Sequence, residues 1–163
     1  LERMMAFLDF SLLKPRLHRW KFNLNTGVTS EEDICDQTIE FGVINQHVAG
    51  IEHRYTYSMI PTKGHFTFDG ITKHDHQQNS LSKYIFPEHI FISEVSFAPK
   101  TDSVDEDDGY LVTISNNVSD KTSACLLFDA QNIEEGPVSE IPLPHQICSG
   151  THATWAQKSD LLK

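Results

Sequence analysis

Histidine is the side chain in this sequence best suited to metal chemistry, because neutral imidazole is the commonest protein ligand for zinc, copper and iron. The chain has nine histidines in 163 residues. His74 and His76 lie two residues apart in KHDHQQN, so on a strand both would face the same side and could share a metal ion. Because the flanking residues are all polar, we predict a solvated strand end there instead of a metal pair.

His152 differs from the other histidines in its neighbours. In CSGTHATWA it stands between small residues, with Gly150 and Ala153 close by and Trp155 behind them. Small neighbours let the backbone approach a crowded centre, and an aromatic ring can fix the surroundings of the imidazole. Taken alone, these residues leave both a packed core histidine and a metal ligand open. Structural roles are predicted for His18, His47, His53, His65, His89 and His145.

Other catalytic or binding motifs are missing from the sequence. It contains no GxSxG, GxxxxGK[ST] or GxGxxG. The sequence therefore does not indicate a serine hydrolase, a P-loop enzyme or a dinucleotide-binding protein. The loop KTDSVDEDDG (100–109) concentrates five acidic residues but lacks the spacing of an EF-hand. We therefore predict a solvated turn in this acidic loop and no cation site.

The composition narrows the class of protein. A formal charge of −10, from 13 Lys and Arg against 23 Asp and Glu, would repel a phosphate backbone, so we expect no nucleic-acid partner. Hydrophobic residues make up 39% and charged residues 22%, as in folded soluble proteins. The apolar stretch MMAFLDFSLL is interrupted by Asp9 and falls far short of the roughly 20 residues that span a bilayer.

The three cysteines, Cys35, Cys125 and Cys148, are odd in number and widely spaced. This pattern favours reduced thiols in a cytoplasmic protein over a disulfide framework or a CxxC metal site. We predict that all three are small buried hydrophobic residues. Because residue 1 is Leu, we also expect a processed, trimmed or partial sequence.

The sequence pattern predicts that the elements positioning any site are β-strands. Short runs rich in β-branched and aromatic residues alternate with period two, and the first ends at the hairpin-type turn NTG. We predict an all-β fold in a single region, 1–163, with helix only at 2–13 and a single turn at 30–34. The predicted strands are 18–24, 53–60, 65–74, 82–86, 89–99, 109–117, 123–130 and 139–144.

Eight short segments stand out because of the order in which they occur. They are LHRWKFNLNTG (17–27), IEFGVIN (39–45), GIEHRYTYS (50–58), SEVSFAP (93–99), EDDGYLVTISNN (106–117), LLFDAQN (126–132), PVSEIPLP (137–144) and GTHATW (150–155). Together, over nearly the whole chain, they resemble the C-terminal part of the carotenoid cleavage oxygenases. That family includes the lignostilbene dioxygenases and the isomerase of the retinal pigment epithelium.

The resemblance implies a fold and a site. The fold is a seven-bladed β-propeller of antiparallel strands, of which this chain would hold the C-terminal blades. The site is a ferrous ion held by four histidines, with His152 as the last of the four. Glu40 and Glu94 match family glutamates that accept a hydrogen bond from a ligand histidine, which fixes the tautomer and orientation of the ring. We expect Glu94 to pair with His152, and Glu40 to serve a histidine outside this chain.

The sequence also departs from the family pattern. The other three histidine ligands of the family lie upstream, and their motifs are absent from residues 1–16. Gly42 stands where a proline is common, and Ala153 stands where a glycine is common. We therefore expect the C-terminal part of a longer enzyme from a divergent branch. That enzyme would use iron(II) and O2 to cleave a double bond of a carotenoid, apocarotenoid or stilbene, and this part alone would be inactive.

Alternatives stay open at this point. One is a non-catalytic all-β interaction module in which His152 is merely packed, and another is an isomerase or hydrolase on the same iron scaffold. The resemblance implies an apolar polyene or stilbene substrate and leaves open a peripheral membrane contact through upstream segments.

Overall fold

The computed structural model describes residues 12–148 and 150–161, and its fold is all-β, as predicted. The strands are β1 His18–Phe22, β2 Thr29–Asp33, β3 Glu40–Val43, β4 Tyr55–Pro61, β5 Phe68–Asp75, β6 Ser80–Ile85, β7 Ile90–Ile92, β8 Ser96–Pro99, β9 Gly109–Asn117, β10 Thr122–Asp129 and β11 Pro137–Pro142. Short 3-10 turns occupy Gln46–Val48 and Ile133–Glu135, and the helix α1 is a single turn at Lys158–Leu161.

Two four-stranded antiparallel meanders make up most of the structure. The first runs β3-β4-β5-β6 and the second runs β8-β9-β10-β11, each strand pairing with its neighbour in the chain. The short strand β7 joins them because it pairs with both β9 and β5, giving one nine-stranded sheet. Each meander has the form of a propeller blade, which confirms the prediction of antiparallel blades. Strands β1 and β2 form a separate hairpin.

Alternation in the sequence explains which face of each strand is buried. In β9, Leu111, Thr113 and Ser115 are buried, whereas Val112 and Ile114 between them are half-buried. Strands of both meanders contribute to one hydrophobic core, so the core fixes the two meanders to each other. Its least exposed side chains include Tyr57, Met59, Ile71, Leu111 and Phe128.

The helical turn predicted at 30–34 is wrong, because residues 30–33 lie in β2. The chain reverses at Gly27, whose φ of 74° suits a tight turn, and β2 then pairs with β1. Cross-strand pairs stabilise this hairpin, with His18 Nδ1 2.7 Å from Asp33 Oδ1 and Arg19 donating to Glu32 at 3.2 Å. The helix predicted at 2–13 lies almost wholly outside the described residues.

Two strand predictions also change. The run 89–99, predicted as one strand, divides into β7 and β8 with a break at 93–95. The segment IEFGVIN contains β3, which the alternation did not identify as a strand. Within the described parts of the chain, no helix has the length and apolar character needed to cross a bilayer.

The acidic loop is not a simple solvated turn, so that prediction is wrong for its second half. Asp107 is buried, and its Oδ2 lies 2.6 Å from Nζ of Lys73 on β5. The carboxylate of Glu106 accepts the backbone N–H groups of Arg54 and Tyr55 at 2.9 and 2.8 Å. These contacts tie the loop to the start of β4 and to β5.

The cysteine and strand-end predictions need correction as well. Cys148 is exposed, and Cys35 and Cys125 are half-buried, so none of the three is a buried hydrophobic residue. His74 is only 2% exposed, since β5 lies inside its meander, so the solvated strand end is wrong for this residue. His74 and His76 do face the same side, with ring centroids 4.6 Å apart.

Candidate metal centre

His152 lies in the segment that follows β11, where the chain returns to the break between β7 and β8. Its side chain is 73% exposed. The edge of the imidazole meets the ring of Phe41 on β3, with centroids 5.4 Å apart and planes at 86°. The packed core histidine left open by the sequence is therefore not what the described residues show.

Glu94 lies beside Nδ1 of the imidazole. It is buried, with 9% of its surface exposed, and its Oε2 lies 3.4 Å from Nδ1 of His152. The same oxygen accepts the backbone N–H of Ala153 at 2.5 Å. Nδ1 thus faces a carboxylate, while Nε2 makes no hydrogen bond to any residue that the structure describes. The expected pair of Glu94 and His152 is brought together, and metal binding by His152 stays a prediction.

Glu40 is the first residue of β3 and is half-buried. It lines a cavity of about 210 Å³ together with apolar side chains that include Phe66 and Phe68. Within the described ranges its carboxylate has no hydrogen-bond partner, and no hydrogen bond or ion pair joins it to Glu94 or His152. Because its chain neighbour Phe41 touches His152, Glu40 lies toward the same end of the sheet.

Sequence reasoning missed two residues of this region, Ser93 and Phe41. Ser93 Oγ accepts the backbone N–H of Gly150 at 2.9 Å, a second contact to the segment that carries His152. Phe41 has a positive φ of 52°, which is unusual for an aromatic residue. Neither serine nor phenylalanine is a residue type that by itself indicates a functional site. The one signal in the sequence was the position of Phe41 next to Glu40 in IEFGVIN.

The described residues could supply one ligand of a metal site. No group of three or more His, Cys, Asp or Glu side chains in the described ranges is arranged to hold a metal ion. Nevertheless, the second ring nitrogen of a metal-ligating histidine usually meets a carboxylate, a carbonyl or a water, and Nδ1 of His152 has the carboxylate of Glu94 beside it. His152 could supply one neutral nitrogen ligand, and Glu94 could orient it.

The other cluster of histidines is organised as a hydrogen-bond chain. Nη2 of Arg19 lies 3.1 Å from Nδ1 of His76, so Nδ1 must accept and the proton sits on Nε2. Nε2 of His76 then donates to Thr56 Oγ1 at 2.8 Å, and that hydroxyl faces Nε2 of His53 at 3.3 Å. Burial, with the nearby His74, His53 and Arg19, lowers the pKa of His76 to about 4. Both nitrogens of His76 are engaged, so the geometry does not favour a metal pair at His74 and His76.

Comparison with known proteins assigns the chain to a family. The family model described as retinal pigment epithelial membrane protein matches residues 2–157, and the chain belongs to this family. Its curated relatives include a carotenoid cleavage oxygenase from Mycobacterium tuberculosis, 30% identical over 149 residues, with 88% of this chain and 29% of the relative covered. Another is the lignostilbene-alpha,beta-dioxygenase isozyme III of Sphingomonas paucimobilis, 25% identical over 162 residues, with 91% and 33% covered.

Solved structures show the same fold. A variant of the apocarotenoid oxygenase from Synechocystis superposes with a TM-score of 0.85 at 26% identity, covering 93% of this chain and 32% of that one. The cobalt-substituted form of the same enzyme gives a TM-score of 0.84 at 25% identity, with 93% and 32% covered. The chain spans 29% to 34% of the length of the curated relatives that it matches.

Proposed function

We propose that this chain is the C-terminal part of a longer iron(II) dioxygenase, one that uses O2 to cleave a carbon–carbon double bond of a carotenoid, apocarotenoid or stilbene. Family membership and the names of the curated relatives support this proposal. The observation that carries it is the buried carboxylate of Glu94, 3.4 Å from an imidazole that is 73% exposed. In a non-catalytic module formed by these residues alone, a packed His152 would have its ring covered by the core.

The roles of His152 and Glu94 follow from their contact. A carboxylate only accepts hydrogen bonds, so Glu94 would hold the proton of the imidazole on Nδ1 and leave the lone pair of Nε2 for the metal. Because Glu94 also holds the N–H of Ala153, it would fix both the ring and its main chain. When bound, iron(II) would supply the open position at which dioxygen reacts with the alkene. The cobalt-substituted relative supports a metal in this fold.

Apolar side chains lie beside the proposed ligand histidine. The cavity beside His152 has a volume of about 230 Å³ and is lined by Val112, Ile114 and Trp155 among others. The ring of Phe41 makes an edge contact with the imidazole. Such apolar walls suit an apolar polyene or stilbene.

The rest of the site would come from outside these residues. Glu40 is half-buried without a partner in the described ranges, which suits a role toward a histidine elsewhere in the longer protein. One histidine does not hold iron tightly, so the 163 residues alone should neither bind iron stoichiometrically nor turn over substrate. A purified 163-residue chain with one tightly bound iron would contradict this.

Product analysis of the longer protein tests the proposed reaction. With a polyene or a stilbene under isotopically labelled dioxygen, we expect two carbonyl products that carry the label. An unlabelled isomer of the substrate would instead indicate an isomerase on this scaffold. Upstream sequence without three further histidines, together with no product, would indicate the interaction module.

A further inference from the structure

The chain between β7 and β8 contains one residue more than the strand opposite it. Ile92 lies opposite Ser115 and Ser96 lies opposite Val112, so four steps along this chain match three steps along β9. This mismatch defines a β-bulge at 93–95, and it explains why the predicted strand 89–99 is broken. Bulges re-aim side chains and are frequent next to active sites.

The bulge changes where two adjacent side chains point. In a regular strand Ser93 and Glu94 would lie on opposite faces. Here both reach the same segment, because Ser93 Oγ accepts the N–H of Gly150 at 2.9 Å and Glu94 Oε2 accepts the N–H of Ala153 at 2.5 Å. The two bonds bracket His152 along the chain, one on each side.

Ser93 is itself held firmly. It is 6% exposed, and its backbone N–H donates to the carbonyl of Ile114 at 2.9 Å. Its own carbonyl accepts the hydroxyl of Thr113 at 2.7 Å. The Ser93 hydroxyl therefore meets Gly150 from a fixed position, as is required of a residue that must orient another.

We propose that Ser93 is a positioning residue for His152, acting through Gly150. Without the bond from Ser93, the last backbone bond before His152 in the described part of the chain would be that of Ile147, whose N–H donates to Ser123 Oγ at 3.0 Å, and the stretch from there to Ala153 could move. The second bond at Gly150 removes this freedom and sets the direction of the imidazole. This proposal rests on the proposed role of His152 as a metal ligand.

The sequence provides a matched control for Ser93. Ser96 is the same residue type three positions on, is 7% exposed, and borders the same cavity as His152. In the described part of the chain its hydroxyl has no hydrogen-bond partner. Ser93→Ala removes a bonded hydroxyl, Ser96→Ala removes an unbonded one, and Ser93→Thr keeps the hydroxyl at the bulge.

The experiment uses the longer protein and two readouts. Amide hydrogen exchange of the segment 150–157, measured without metal, reports how firmly the bonds from Ser93 and Glu94 hold this segment. Titration with cobalt(II), followed by its ligand-field spectrum, reports the geometry and affinity of the metal site. For Ser93→Ala we expect faster exchange, a changed spectrum and roughly 10-fold weaker cobalt affinity. Ser96→Ala should match the wild type in both readouts, and Ser93→Thr should recover much of the loss.

The outcomes separate this inference from the proposed function. If the wild type binds cobalt and Ser93→Ala binds it equally well with the same spectrum, Ser93 does not position His152, even if exchange is faster. Equal losses in Ser93→Ala and Ser96→Ala would also overturn the inference. If the wild type binds no metal at all, the proposed function fails first, and the role of Ser93 fails with it.

Discussion

Glu94 and Ala153 are joined by a hydrogen bond of 2.5 Å between residues 59 positions apart in the chain. The accepting oxygen also lies 3.4 Å from Nδ1 of His152. One buried carboxylate therefore contacts both the main chain and the ring of the same short segment. This relationship links the bulge between β7 and β8 to the C-terminal segment and makes the orientation of His152 dependent on Glu94.

Replacing Glu94 by Gln should weaken metal binding in the longer protein. The amide has no negative charge and only one acceptor oxygen, so it accepts the imidazole N–H more weakly, and we expect iron affinity to fall roughly 10- to 100-fold. Competition with a chelator measures this change. The exposed Glu88→Gln is the control, and equal affinities in the two variants would contradict the role of Glu94.

The ion pair between Lys73 and Asp107 should be important for stability. Both side chains are nearly buried, at 10% and 12% exposure, with Nζ 2.6 Å from Oδ2. Asp107→Asn would leave a buried lysine without its counter-charge, so we expect a loss of about 3–5 kcal/mol in the free energy of unfolding. Denaturant unfolding measures this loss. Asp105→Asn, an exposed position in the same loop, should change little, and equal effects at both positions would contradict the prediction.

The strand predictions are correct where the local alternation of residues agrees with the pairing of the strands in the fold. The predicted strand 109–117 is β9 residue for residue, because its alternation matches one buried and one half-buried face. The segment 30–34 misled because Ser30 and the acids after it are typical of a helix start. Pairing with the basic residues of β1 outweighs that local preference.

The candidate site was less accessible from the residues alone. The contact between Glu94 and His152 spans 58 positions, and spacing does not reveal such a contact, so only the family resemblance indicated it. The role of Ser93 depends on the register of β7 and β8 against β9, which sequence alternation does not encode. A bulge of one residue is invisible until the partner strand is known.

His76 should make stability depend on mildly acidic pH. Its pKa is lowered from 6.5 to about 4, mainly by burial, so the folded state resists protonation while the unfolded state does not. Stability is then full above the unfolded pKa and falls as the pH decreases from 6.5 toward 4. The pKa of His74 is lowered in the same direction, again mainly by burial.

The test for His76 is the free energy of unfolding at about pH 7 and about pH 5. His76→Gln should show a smaller loss of stability between these values than the wild type, because one of the responsible groups is removed. His145→Gln, at an exposed position, should keep the wild-type loss. A loss in His76→Gln as large as in the wild type would show that His76 does not contribute.

The central claim, that His152 is a ligand of an iron site, is tested most directly by the iron content of the longer protein after His152→Ala. His145→Ala is the matched control, since both histidines are exposed in the C-terminal part of the chain. We predict one iron per chain in the wild type and in His145→Ala, and a clear loss of bound iron in His152→Ala. A His152→Ala protein that keeps one iron per chain would contradict the claim.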